Sequence, residues 1–187
     1  MVKFTKSIGI IGGAGPVASA FLYTTILRIC QTKFHAHDYS DFPEIILISH
    51  PFIRGAEEKI CSAIAGCFSR LSAAGASLYC IASHSFHGYL PLLPEKGFIN
   101  LIEERLNEAK KRKISKPLIL ASAATISMRL YERPEISCIY PPVADQLHIN
   151  KLIREVAGGK VHESQSRKLS QLLARLHNSL HYLKTQP

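Results

Sequence analysis

Small and polar residues that could bind a ligand follow four apolar runs of the chain. They occupy residues 12–15, 49–50, 83–85 and 122–125. Hydroxyls, imidazoles and free backbone amides at such places suit a small anion such as a carboxylate, and a helix beginning behind each loop would add positive potential. Small residues also make tight strand-to-helix turns, but four such loops together favour a binding pocket.

Two other chemistries fit parts of this pattern. Residues 13–18 match GxGxxA, the dinucleotide fingerprint, and Asp38 lies near the expected position of a ribose-binding acid. Asp38 precedes the second predicted strand instead of ending it, so a nicotinamide-dependent enzyme ranks second. His84 and His87 are spaced as metal ligands on one helical face would be, but no nearby carboxylate or cysteine completes a set. A pocket-lining or capping role is favoured for both.

Strands and helices alternate strictly through the first part of the chain. Short apolar runs predict strands over 7–11, 45–48 and 78–82, and helical spacing predicts helices over 17–32 and 57–73. Residues 97–102 could start a further strand that runs into a helix over 103–113. This alternation predicts a parallel sheet with helices on both faces, with ligands beyond the carboxyl ends of its strands.

The pattern restarts after the basic segment 110–116. Strands are predicted over 118–121 and 136–140, and helices over 143–156 and 163–183. We therefore predict two α/β units, residues 1–113 and 114–187. Two strands are few for an independent sheet, so the second unit is predicted to be incomplete.

Composition excludes several classes of protein. Of 187 residues, 47% are hydrophobic and 20% charged, which is typical of a globular protein. No apolar run is long enough to span a bilayer, and the early glycines interrupt any secretory signal, so a cytoplasmic protein without a membrane partner is predicted. The net charge of +9 is scattered without a nucleic-acid reading motif, so no nucleic-acid partner is expected. The five cysteines form no CxxC pair, which makes a zinc site improbable.

Several segments resemble the aspartate/glutamate racemase family in order and spacing. Residues 8–16 resemble its opening, where the family usually has methionine in place of Ala14. Residues 75–87 are similar to its "GADF…PCNTAH" strand, and residues 100–104 to its "MIEE" segment. Further matches in the second half are residues 120–125, Tyr131, Pro141, Asp145, Gln146, Gly159 and Lys160.

This resemblance implies a racemase that inverts an acidic amino acid without pyridoxal phosphate or any other cofactor. The family has two pseudo-symmetric α/β domains with the active site between them, and it is expected to form homodimers. One cysteine from each domain faces the substrate α-carbon, so that one thiolate removes the proton and the other thiol returns one from the opposite side.

Carried over by position, the first catalytic cysteine falls on Ser83, and the asparagine and threonine that follow it fall on His84 and Ser85. His87 matches the family histidine, and Arg54 is the expected ligand of the distal carboxylate. The remaining anchoring is expected from Gly13, Ala14, Gly15 and Thr125. A family lysine falls on Ala157, with Lys160 nearby.

These departures predict weak or absent racemase activity. A serine hydroxyl is far less acidic than a thiol, so Ser83 would need an activating partner such as His84 or His87. Cys80 cannot replace the thiol, because three residues back on a strand it points to the opposite face. The family segment with the second cysteine would fall after Pro187, which suggests a truncated member. The alternatives are a non-catalytic binder of small dicarboxylates and a serine- or dinucleotide-dependent enzyme on this scaffold.

Overall fold

Three parallel strands, β1 (Ile8–Gly12), β2 (Ile45–Ser49) and β3 (Leu78–Ile81), form a sheet in the order β2-β1-β3. The computed structural model describes residues 4–53, 55, 57–92, 96–160 and 162–184. The chain divides into two units, residues 1–108 and 109–187. The sheet belongs to the first unit.

Helices cover both faces of this sheet. Helix α1 spans Pro16–Phe34 and helix α2 spans Glu57–Ala73. Ile11 is buried in a cluster with α2 residues, whereas the next residue, Gly12, faces Ser19 of α1. Because successive strand residues point to opposite faces, α1 and α2 lie on opposite sides of β1. The predicted α/β class, with a parallel sheet between helices, is confirmed.

The two helices begin as their sequences suggest. Gly15 has an extended backbone before α1 and Pro16 takes the first helical position, where its missing amide hydrogen costs nothing. Glu57 and Glu58 occupy the first turn of α2 and Arg70 its last, so their charges complement the helix dipole. The predicted bounds of α2 are confirmed.

The strand predicted over 97–102 is wrong. Phe98 makes only an isolated parallel bridge with Tyr79, and helix α3 begins soon after it, spanning Leu101–Lys111. The reason is local, because the Asn100 side chain accepts the amide hydrogens of Ile102 at 2.9 Å and Glu103 at 3.3 Å. An asparagine in that position starts a helix rather than extending a strand.

Helices dominate the second unit. Helix α4 spans Ala123–Ser127, helix α5 spans Val143–Ala157 and helix α6 spans Glu163–Lys184. Leu118 packs against a core formed by Ile149 of α5 with Leu172 and Leu176 of α6.

The strands predicted over 118–121 and 136–140 do not form a ladder. Among the described residues the segments meet only in an isolated bridge between Leu118 and Ile139, with a second bridge between Arg133 and Ile136. Pro117 lacks the amide hydrogen that would extend this parallel pairing to the carbonyl of Ser137, although the amides of Ser137 and Ile139 donate to Ser115 O and Pro117 O.

Candidate functional site

The carboxyl ends of the three strands lie level with one another. The register pairs Ile11 with Ile81 and Gly12 with Ser49. Two further hydrogen bonds extend it past the strand ends, from Ala82 N to Ile11 O at 2.9 Å and from His50 N to Gly12 O at 3.0 Å. Three of the four predicted loops therefore meet at one edge of the sheet, as expected for a parallel α/β ligand site.

The glycine turn (residues 12–15) depends on the close approach of another backbone. Gly13 has φ +101°, and a Cβ at this position would lie 2.1 Å from the carbonyl oxygen of His50. Only glycine combines this backbone conformation with that contact. The loops that follow β1 and β2 are therefore packed backbone to backbone.

Ser19 holds the glycine turn from within α1. Its hydroxyl accepts the amide hydrogen of Gly13 at 3.1 Å and donates to the carbonyl of Gly15 at 3.1 Å. The side chain is only 1% exposed. The sequence prediction missed this residue; its signal was a lone serine, four positions after Gly15, among apolar helix residues.

The serine turn (residues 83–85) follows β3. The hydroxyl oxygens of Ser83 and Ser85 lie 3.3 Å apart, and both side chains are half-buried. His84 between them is exposed, yet desolvation lowers its pKa, and its proximity to His87 and to the Arg105 guanidinium lowers that pKa further. A neutral imidazole and two hydroxyls can donate hydrogen bonds to a carboxylate.

His87 supports the serine turn from below. Its Nδ1 lies 2.8 Å from the carbonyl oxygen of Ser83, and its Nε2 accepts the amide hydrogen of Leu101 at 3.2 Å. Because Nε2 accepts, the proton of the neutral ring is on Nδ1 and is donated to Ser83 O. Burial lowers the pKa of His87, partly opposed by its hydrogen bonds to the backbone at Ser83 and His84. Both ring nitrogens are thus engaged by backbone groups, which leaves neither for the hydroxyl of Ser83.

Aromatic rings join the loops that follow β2 and β3. The ring of Phe52 lies 4.8 Å from that of His50 and 4.7 Å from that of Phe86, both edge to face. Phe86 comes directly after the serine turn. The two outer strands of the sheet are thereby connected beyond its edge, across the end of β1.

The thiol closest in sequence to the serine turn is buried. Cys80 is 6% exposed on β3, and burial raises the pKa of its thiol to about 11. Ile81 belongs to the α2-facing core, so the preceding Cys80 points to the other face. A thiolate at Cys80 is therefore disfavoured near neutral pH.

The second unit carries its own polar turn at residues 121–125. Ser122 caps α4, and its hydroxyl lies 3.0 Å from that of Thr125, which is buried. Asn150 of α5 accepts the amide hydrogen of Ala123 at 3.0 Å.

Gln146 also supports this turn from α5. Its amide nitrogen donates to Ala121 O at 2.9 Å and to Asn150 Oδ1 at 3.1 Å, while its Oε1 is buried without a partner among the described residues. Neither amide side chain was predicted to hold a turn, although Gln146 was part of the family resemblance.

Two residues of the sequence hypotheses do not join these turns. Arg54 lies outside the described residues. Asp38 is exposed and accepts the amide hydrogen of Tyr39 at 2.7 Å, capping a 3₁₀ turn over Tyr39–Asp41 ahead of β2. The dinucleotide hypothesis therefore lacks an acid at the end of β2.

Within the described ranges, no cluster of three or more histidine, cysteine or acidic side chains could hold a metal ion, and no helix is long and apolar enough to cross a bilayer.

Comparison with known proteins assigns the fold. No protein-family model matches the chain. The aspartate racemase of Picrophilus torridus superposes with a TM-score of 0.78 at 22% identity, covering 92% of this chain and 77% of that one. An aspartate racemase homologue from Pyrococcus horikoshii superposes with a TM-score of 0.65 at 22% identity, covering 81% of this chain and 71% of that one. The chain shares the fold of these proteins.

Proposed function

We propose that the chain is a racemase-like protein of the aspartate/glutamate racemase type that binds a small acidic amino acid or dicarboxylate. Two independent observations support this function. The segments at residues 8–16 and 75–87 resemble that family, and the fold is shared with an aspartate racemase. The glycine turn and the serine turn then supply the ligand contacts of the first unit.

The identity of Ser83 is the observation that carries the proposal. The family resemblance assigns a catalytic cysteine to this position, at the end of β3. A hydroxyl has a far higher pKa than a thiol, and here its neighbour at 3.3 Å is the hydroxyl of Ser85, which is not a base. Both ring nitrogens of His87 are hydrogen-bonded to backbone groups, so neither is available to accept a proton from Ser83. Ligand binding with weak or no proton abstraction is the function that this chemistry supports best.

The turns suit a ligand carboxylate. Backbone amides of the glycine turn lie before a long helix, α1, whose N-terminus favours an anion. Ser85 and His84 would add neutral hydrogen-bond donors, because the lowered pKa keeps the imidazole uncharged near neutral pH. As the family resemblance implies, Arg54 would bind the distal carboxylate and Thr125 would add further anchoring.

Solvent-deuterium exchange at the α-carbon tests the proposal together with calorimetric binding. The ligands are the L and D forms of aspartate and glutamate, and the proteins are the unmodified chain, Ser83→Ala and Ser69→Ala. Ser69 is an exposed serine of α2 and serves as the matched control. We expect measurable binding of at least one acidic amino acid and exchange close to background in all three proteins.

The possible outcomes separate binding from catalysis. Exchange well above background that disappears in Ser83→Ala, but not in Ser69→Ala, would establish Ser83 as an acid/base group and refute the loss of activity. If none of the four amino acids binds, the acidic-amino-acid assignment itself is wrong.

A homodimer is also part of the proposal, as the family resemblance implies. Two apolar side chains support it, since Phe21 of α1 is 67% exposed and Leu47 lies half-exposed on the outer strand β2. Exposed apolar groups beside an unpaired strand edge favour association. Sedimentation equilibrium would test this, and Phe21→Glu is expected to shift the protein towards monomer if α1 contributes to the interface.

A further inference from the structure

We propose that Ser19 is a positioning residue that fixes the glycine turn for ligand binding. This inference rests on the proposed function, because it assigns the turn's rigidity to the binding of a carboxylate. Ser19 would not touch the ligand; it would act through the backbone of Gly13 and Gly15, which its hydroxyl joins.

The Ser19 hydroxyl accepts one hydrogen bond and donates one. The oxygen accepts from Gly13 N–H, and its hydrogen goes to the carbonyl of Gly15. Gly13 and Gly15 lie on either side of Ala14, so the hydroxyl ties together both ends of the exposed part of the turn. Because the Ser19 side chain is only 1% exposed, it has few alternative positions. Its two hydrogen bonds therefore also restrict the backbone of the glycine turn.

The Ser19 side chain is also held by its close packing against Gly12. A Cβ added to Gly12 would lie 2.5 Å from the Ser19 oxygen and 2.7 Å from its Cβ. Gly12 is therefore glycine because Ser19 fills the space where a side chain would point. The Ser19 side chain thus packs against the end of β1 and is hydrogen-bonded to the turn that leads into α1.

This arrangement determines which amides of the turn are available. The amide of Gly13 is committed to Ser19. Among the described residues, the amides of Ala14 and Gly15 have no protein acceptor. The Gly13 amide therefore has a structural role, whereas the amides of Ala14 and Gly15 can bind an anion. Ser19 holds these two amides before the N-terminus of α1.

Thr24 provides a matched control within the same helix. Its hydroxyl also donates to backbone carbonyls one turn earlier, those of Ala20 and Phe21, both at 3.1 Å. Thr24 is exposed, and its hydrogen bonds remain within α1. Thr24→Ala removes the same kind of bond from α1 without removing the link to Gly13.

The test combines amide hydrogen exchange by NMR with calorimetric binding of L-aspartate. In the unmodified protein we expect the Gly13 amide to exchange more slowly than that of Ala14. Ser19→Ala should accelerate Gly13 exchange and weaken L-aspartate binding by about tenfold. Ser19→Thr, which keeps the hydroxyl, should restore both, whereas Thr24→Ala should change neither.

Each contrary result has a distinct meaning. Equal exchange of Gly13 and Ala14 in the unmodified protein would overturn the inference without any variant, even if Ser19→Ala fails to fold. Unchanged L-aspartate binding in Ser19→Ala, or an equal loss in Ser19→Thr, would overturn it by showing that the hydroxyl does not position the ligand. If the unmodified protein binds no acidic amino acid, the proposed function fails, and Gly13 exchange still decides whether Ser19 holds the turn.

Discussion

The imidazole of His87 donates to the carbonyl oxygen of Ser83 across 2.8 Å, while its other nitrogen accepts the amide hydrogen of Leu101. One buried side chain thus joins the turn after β3 to the first residue of α3. The contact fixes the backbone that carries Ser83 without engaging its hydroxyl. His87 therefore holds Ser83 in place but does not act as a base towards its hydroxyl.

His87 should make stability depend on pH. Burial lowers its pKa in the folded protein below the unfolded value of about 6.5, so the unfolded chain gains the proton first. The stabilisation is therefore complete above about pH 6.5 and is lost as the pH falls towards the folded pKa, with a slope of at most about 1.4 kcal/mol per pH unit for one proton. Urea denaturation at a series of pH values measures this slope.

The matched variants for this prediction are His87→Asn and His148→Asn. Asparagine does not titrate, so His87→Asn should reduce the slope, whereas the exposed His148 on α5 serves as the control. His84 also has a lowered pKa and is expected to account for part of the slope that remains. An unchanged slope in His87→Asn would contradict the assigned neutral ring.

Gly13→Ala should destabilise the fold and abolish ligand binding. The backbone at φ +101° strains an alanine, and its methyl group would collide with His50 O. We expect a loss of roughly 1–3 kcal/mol or more in the free energy of unfolding. The control is Gly66→Ala within α2, where an added Cβ meets nothing within 4 Å; it should stabilise the protein by about 0.5–1 kcal/mol. Equal stability of the two variants would argue against the close approach of residues 13 and 50.

Cys80 should resist alkylation in the native protein. Its thiol is buried with a pKa raised to about 11, whereas Cys61 on α2 is half-buried. At about pH 8 the thiolate fraction at Cys80 is then very small, and access to the sulfur is poor. Timed iodoacetamide labelling followed by peptide mass spectrometry should modify Cys61 well before Cys80. Comparable rates would mean that the β3 thiol is available for chemistry.

Ser83→Cys should increase α-carbon deuterium exchange more than it increases inversion. A positioned base contributes about 10²–10⁴-fold to proton transfer, so a gain of at least about tenfold in exchange is expected from the thiol. Inversion also needs a proton donor on the opposite face. Cys138 of the second unit has a thiol pKa raised by burial and donates to Tyr131 O, so it is a poor candidate for that role. Equal gains in exchange and inversion in this variant would show that a second acid is present.

Local patterns predicted the first unit well. The helical spacing of apolar residues was sufficient for the bounds of α2, and the three apolar runs became three parallel strands. Local patterns failed where one residue redirected the chain. Asn100 begins a helix within the predicted strand 97–102, and Pro117 lacks the amide hydrogen that would extend the single bridge between Leu118 and Ile139.

By itself the sequence determined the strand-end turns and the serine at position 83, because these follow from residue type and from apolar periodicity. The tertiary structure decided that position 13 requires glycine, because the backbone of His50 lies against it. Only the tertiary structure decided that Ser19 holds Gly13 and that His87 holds Ser83 through its backbone. A hydroxyl or an imidazole can serve many partners, and its partner is set by the distances and burial that the folded chain imposes. The residue types at the strand ends indicate a ligand-binding edge. Only the assembled sheet and helices show which of these residues could contact a ligand and which support the turns.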